Sequence, residues 1–470
     1  MLTAHSTRFR VVLLPLLAIV AVIGHALAAA PQSGREPGGP VTGTALPRTR
    51  PGDRARAVPR DPDRWHPSSA YFLVAPIDSG STYLLDDQLR VVNEWRSDYG
   101  PGLSAYLLDD GRLLRTATIG TRNFPGGNGG RIELFTWDGA LEWSVEYATD
   151  SVQQHHDAIV LPNGHVLAVA WETRTVAEAL DAGRSPETLA PDPEIWSDTI
   201  VEIDPQTGAT TWIWRVWDHL VPKGDRTADH PGLIDPNFAA VPSADWTHVN
   251  SVAYNADLDQ VLISVRNHSE IWIIDHGTSS EEAAGHAGGR RGRGGDLLYR
   301  WGNPAAYGAT RRQQLFGQHN AQWIPAGSPG AGHILLFNNG DVSARPWSNA
   351  VEIIPPLRED GLYALDSSAG FGPSEPVWQY AADPPDSLFG SYASGVQRLA
   401  SGGTLIAVTS TGRFREVDDG GQLIAEYQLA SNGTPLRVFR VTSIPPTSPA
   451  FARRPLVATG ATLGQILYPQ

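Results

Sequence analysis

The sequence predicts an all-β fold, a single β-propeller of about six four-stranded blades. Three observations carry that expectation. The first is composition: 48 Gly, 37 Pro and 15 Trp among 470 residues, with only 18% charged, give many turns and aromatics but few helix formers. The second is a recurring hairpin of a short apolar strand, a Gly-centred turn and a returning strand. The third is its recurrence: units begin near residues 71, 104, 156, 248, 319 and 394, and the longer intervals hold insertions. Two packed β-sheets, the rival arrangement, explain the repeat less well.

Taken in order, the chain opens with Arg8 and Arg10 ahead of an apolar run from Val11 to Ile23, followed by the small-residue site Ala26-Leu27-Ala28. Residues 1–28 therefore read as a signal peptide, with Ala29 as the mature start. The alternative is an uncleaved membrane anchor, for which a run of about 13 residues is short against the roughly 20 that span a bilayer. Either way the folded part is expected outside the cytoplasm, periplasmic or secreted. Residues 29–66, rich in Pro, Gly and Arg without an apolar pattern, read as a disordered arm. Residues 67–470 are then the propeller.

Within it, the first hairpin of a unit is visible from Tyr106 to Leu114 across Gly111, from Ile159 to Leu167 across Gly164, and from Leu399 to Ile406 across Gly402. The second hairpin runs from Phe135 to Trp143 across Gly139, from Val201 to Trp214 across Gly208, and from Val417 to Tyr427 across Gly420. Two insertions interrupt the pattern. Residues 215–245 form a Pro- and Asp-rich connection able to cover the channel mouth, and residues 276–296, with Arg290, Arg291 and Arg293 among glycines, read as a surface loop or a lid. The strand around Arg437–Val441 is expected to pair near Tyr71 and close the ring, removing exposed sheet edges.

Aligning the units on their turns singles out one position. His156 lies six residues before Pro162, His319 six before Pro325 and His248 six before Tyr254, while Ser104 and Ser394 hold the equivalent place in two other units. The first strand of a blade lines the channel, so these three imidazoles should converge on one axis. Asn250 follows His248 on the same strand face, and Arg266 ends the next strand. Strand alternation turns His155 and Asp157 away from His156. His155, Asn320 and Ser394 join Asn250 as candidate substrate contacts.

Several chemistries fit three imidazoles and a guanidinium. Three histidines would suit zinc, but a metal leaves Arg266 without a role. A serine hydrolase lacks a Gly-x-Ser-x-Gly elbow. A tetrahedral oxyanion, sulfate or phosphate, suits both the guanidinium fork and the imidazoles. The net charge of −14 argues against nucleic acid and anionic membranes as partners. The absence of cysteine removes disulfides, thiolate chemistry and iron–sulfur clusters.

The segments His155-His156-Asp157, Pro162-Asn163-Gly164, His248-Val249-Asn250-Ser251, Ser264-Val265-Arg266, Gln318-His319-Asn320 and Ser394–Leu399, with the later Arg413, Glu416 and Val417, resemble the bacterial aryl-sulfate sulfotransferase family over most of residues 71–445. The resemblance implies a periplasmic propeller that moves a sulfuryl group from an aryl sulfate donor to a phenol acceptor, with no nucleotide donor, no cofactor and no metal. It implies that His319 is the nucleophile and becomes transiently sulfated. It implies that His156, His248, Asn250 and Arg266 grip the sulfuryl oxygens or protonate the leaving phenolate. The alternative is a non-catalytic exported propeller that binds anions, glycans or protein partners. The oligomeric state is left open.

Overall fold

A computed structural model describes residues 70–119, 126–189, 191, 194–239, 244–431 and 433–467. The signal peptide and arm expected over 1–28 and 29–66 lie outside the described residues. Six four-stranded antiparallel sheets make the six blades of a β-propeller. The five blades whose strands follow one another in chain order have as innermost strands Gly100–Leu107 (blade 2), Val152–Val160 (blade 3), Val249–Asn255 (blade 4), His319–Trp323 (blade 5, where a small hairpin precedes the last strand) and Gly395–Arg398 (blade 6). Blade 1 is composite: the late strand Val438–Ile444 pairs with Tyr71–Pro76, Tyr71 opposite Ile444 and Val74 opposite Val441, and takes the innermost place. The expected closure is thus present, with the consequence that the channel strand of blade 1 comes from the far end of the chain.

Burial follows the blades. Six clusters of buried apolar residues each draw on two neighbouring blades and leave no gap around the ring. Between blades 3 and 4, for example, Ile200 and Trp214 pack with Ile263 and Trp272. The core is therefore a set of sheet-on-sheet contacts, in which removal of apolar surface from water supplies the main stabilisation. Among the described residues no helix is long and apolar enough to cross a membrane.

The innermost strands share a distortion. Pairing slips between Pro101 and Ala105, Gln154 and Ala158, Val249 and Ser251, and His319 and Gln322. At or beside each slip a non-glycine residue takes positive φ: Leu103 at 101°, His156 at 49°, His248 at 55° and Asn320 at 55°. Blade 6 repeats the feature with Ala393 at 48° and Ser394 at 77°. A left-handed non-glycine residue costs on the order of 1–3 kcal/mol, and a bulge re-aims the side chains it carries. The distortion is repeated around the channel, where it presents side chains that a regular strand would point elsewhere.

Candidate active site

A cavity of about 1170 Å³ at the channel mouth is lined by His156, His248, Arg266 and His319, with Phe316, Tyr392 and Phe439 on its walls. The rings of His156 and His248 lie 4.7 Å apart, and Phe439 sits 6.0 Å from His156 and 6.2 Å from His319. Three blades thus contribute imidazoles to one space, and the closing strand contributes the aromatic ring between two of them.

Each imidazole is held from behind by a different partner. Asn339 donates both amide hydrogens, to Gly390 O at 2.6 Å and Ala393 O at 3.0 Å, so its Oδ1 must accept. His319 Nδ1 lies 2.8 Å from that oxygen and 3.1 Å from Gly317 O, and facing two acceptors it must carry the proton. Nε2 of His319 then bears the lone pair, towards which the Ala393 N–H points at 3.2 Å. His248 Nδ1 pairs with the Asp245 carboxylate. His156 Nδ1 meets His155 Nδ1 at 2.7 Å, and His155 Nε2 meets Asp198 Oδ1 at 2.7 Å. The other oxygen of Asp198 accepts from the Thr247 hydroxyl and from Val249 N–H at 3.0 Å. With its ring neutral, His155 donates to Asp198 and accepts from His156, which leaves Nε2 of His156 with a lone pair as well.

Electrostatics separates the rings further. Burial, then the Arg266 cation, holds His319 well below the usual imidazole range. Burial, then His248 and His155, does the same to His156. Burial works against ionisation of Asp245, but His248, His155 and Arg266 outweigh it and keep that carboxyl below its usual value. Arg266 is lowered by burial, with Asp245 opposing. Its guanidinium has one side-chain partner among the described residues, Asn267 Oδ1 at 3.0 Å, and none is a carboxylate in ion-pair contact. Cationic donors therefore remain available in the cavity.

The remaining sequence candidates lie elsewhere. His155 is fully buried and stacked on Trp171 at 3.8 Å, a step behind His156. Alternation predicts opposite faces for His155 and His156; the slip between Gln154 and Ala158 breaks that alternation and brings their rings into contact. Asn250 is buried and donates to Gln318 O at 2.8 Å, tying blade 4 to blade 5. Asn320 Oδ1 accepts from Val396 N–H at 3.0 Å, tying blade 5 to blade 6. Ser394 and the equivalent Ser104 each bond a threonine of the next strand, Thr409 and Thr116. None of these four candidates lines the histidine cavity. The two insertions also differ: 215–245 supplies Ala239 and Asp245 to the cavity wall, whereas no described residue of 276–296 lines it.

Sequence reasoning missed Asp198, Asp245, Asn339 and Phe439. Asp245 had a signal, three residues ahead of His248. The others sit on strands and turns with no spacing relation to a histidine.

The arylsulfotransferase (ASST) family model matches residues 139–438, which hold all three cavity histidines and Arg266. The chain belongs to the arylsulfotransferase (ASST) family. The family resemblance read from the His and Arg segments is thereby established. No curated protein matches the chain. Solved structures with a similar fold include a Bacteroides caccae protein of unknown function, at 13% identity and TM-score 0.46, covering 80% of this chain and 99% of that one. The Myceliophteria thermophila Cps50 (Swd1) β-propeller domain gives 11% identity and TM-score 0.41, covering 82% and 94%. Arylsulfotransferase family membership, not these distant likenesses, is what bears on activity.

Proposed function

We propose that the protein is an aryl-sulfate sulfotransferase that works by double displacement through a sulfohistidine on His319. The observation that carries this reading is the pairing of a neutral, lone-pair-bearing His319 Nε2 with an Arg266 guanidinium free of carboxylate contact, both lining one cavity. In the first half-reaction Nε2 of His319 attacks the sulfur of the donor. The bond from sulfur to the phenolic oxygen breaks, and that oxygen leaves as phenolate. His248, steadied at Nδ1 by Asp245, gives it a proton from Nε2. In the second half-reaction a phenol acceptor loses its proton to His248 and its oxygen attacks the same sulfur, releasing His319.

Charge developing on the sulfuryl oxygens is met by Arg266, whose fork suits two of them. Each positioned proton transfer is worth roughly 10²–10⁴ in rate. Phe316, Tyr392 and Phe439 would hold the aryl ring, since aromatic faces bind one another without demanding a particular substituent. His155 and Asp198 act as positioning residues for His156. Export belongs to the same proposal, motivated by Arg8, Arg10 and the apolar run to Ile23; sequencing of the mature N-terminus should read from Ala29, and a protein retaining Met1 in the cytoplasm would refute it.

The deciding experiment is intact-protein mass after mixing with an aryl sulfate and no acceptor. The protein should gain one sulfuryl group, lose it on addition of a phenol, and gain none in His319→Ala. A His319→Ala protein that still forms the adduct removes His319 as the nucleophile.

A further inference from the structure

The two insertions meet away from the histidine cavity. Trp212 Nε1 donates to Thr278 Oγ1 at 3.0 Å and Trp214 Nε1 to Gly295 O at 2.7 Å, so the 276–296 loop of blade 4 lies on the outer strand of blade 3. At that seam three side chains converge. His219 Nδ1 is 3.0 Å from Asp296 Oδ1, and His286 Nδ1 is 2.7 Å from the same oxygen. The three ligand atoms lie within 4.8 Å of one another.

The tautomer of His219 makes this more than a surface ion pair. Its side chain is fully buried and stacked on Trp214 at 5.5 Å with the planes 7° apart. Its Nε2 lies 2.8 Å from the carbonyl of Ala283, and since a carbonyl only accepts, Nε2 carries a proton. In the neutral ring Nδ1 is then a bare lone pair aimed at a carboxylate oxygen. Two acceptors at 3.0 Å need either a proton or a metal cation between them. A backbone carbonyl on the distal nitrogen is also the usual support of a metal-bound imidazole. Four-coordinate zinc with bonds of about 2.0–2.1 Å places its ligands roughly 3.3 Å apart, against 3.0 and 2.7 Å from Asp296 Oδ1 to the two imidazoles and no more than 4.8 Å between any two of the three atoms. The His286 side chain is 59% exposed, which gives an ion a way in.

We propose that His219 Nδ1, His286 Nδ1 and Asp296 Oδ1 bind a divalent zinc-type ion, with water completing the shell, and that the ion staples the loop of blade 4 to blade 3. The test uses the mature protein, stripped with a chelator and titrated calorimetrically with zinc alone. Wild type should take up one equivalent more than His286→Ala, a change at an exposed position, and Asp296→Asn should lose the same equivalent. Trypsin cleavage after Arg290, Arg291 or Arg293 should slow about tenfold at free zinc near ten times Kd in wild type and not in His286→Ala. Turnover of an aryl sulfate should be the same in both. Equal zinc uptake by wild type and His286→Ala, or none by wild type, would make His219 and Asp296 an imidazolium–carboxylate pair and overturn the proposal.

Discussion

His319 stands against an amide and His248 against a carboxylate, and chemistry divides between them on that account. An amide partner fixes a tautomer without stabilising a charge, whereas a carboxylate does both. Burial extends the contrast to stability. His156 and His319 are each only 2% exposed and are held low, chiefly by burial. As pH falls below the ordinary imidazole value of about 6.5, the unfolded chain takes up protons that these folded rings refuse. Stability is therefore intact above that value and is lost as pH falls towards the lowered folded values. The loss is up to about 1.4 kcal/mol per pH unit for each ring. Denaturant unfolding followed from about pH 7 to about pH 5 should show a shallower decline in His319→Asn than in wild type, and parallel curves would contradict the assignment. Read from the sequence, these rings were found by repeat register alone. Asn339 behind His319, and Asp198 behind the His155 that meets His156, were not, because a hydrogen bond across a blade leaves no trace in spacing.

The bulged inner strand is the element that turns register into a site. Its slip at Gln154–Ala158 explains why the sequence placed His156 in the channel but sent His155 the wrong way: period-two alternation holds only where pairing is regular. It also depends on what crosses above it. Gly127 has φ of 76°, its carbonyl accepts from His156 N–H at 3.1 Å, and a Cβ there would sit 1.9 Å from His156 Cε1. Gly127→Ala should displace the His156 ring and lower kcat by on the order of 10², the cost of a misplaced reacting group. Unfolding should remain cooperative, because the residue lies outside the inter-blade clusters. Steady-state kinetics beside a thermal melt separates the two; unchanged kcat would mean that His156 has no part in turnover.

At the scale of the whole molecule, the ring is held at its axis as well as between its blades. Arg440 on the closing strand of blade 1 pairs with Asp157 of blade 3 at 2.6 Å and bonds Tyr106 of blade 2, while Asp157 accepts from Val252 N–H of blade 4 at 3.1 Å. Asp157 is fully buried, so Arg440→Ala strands its charge and should cost about 3–5 kcal/mol in chemical denaturation. Adding Asp157→Asn should recover part of that loss; a double variant no better than the single would show that the charge is not the cause. Six blades and their closure were legible because turn spacing repeats. The pairing of the Arg437–Val441 segment near Tyr71 was legible as well, across more than three hundred residues; that this strand takes the innermost place of blade 1 was not.

The composite first blade has a bearing on biosynthesis. The strand that completes the circle leaves the ribosome, and any translocation pore, after every other blade strand. Until it docks, the Phe439 ring that bridges two of the imidazoles is missing, and the walls bearing His156, His248 and His319 have no common enclosure. A chain still in transit would therefore carry no assembled histidine cavity, and any reactivity of that cavity would begin only once the circle closes.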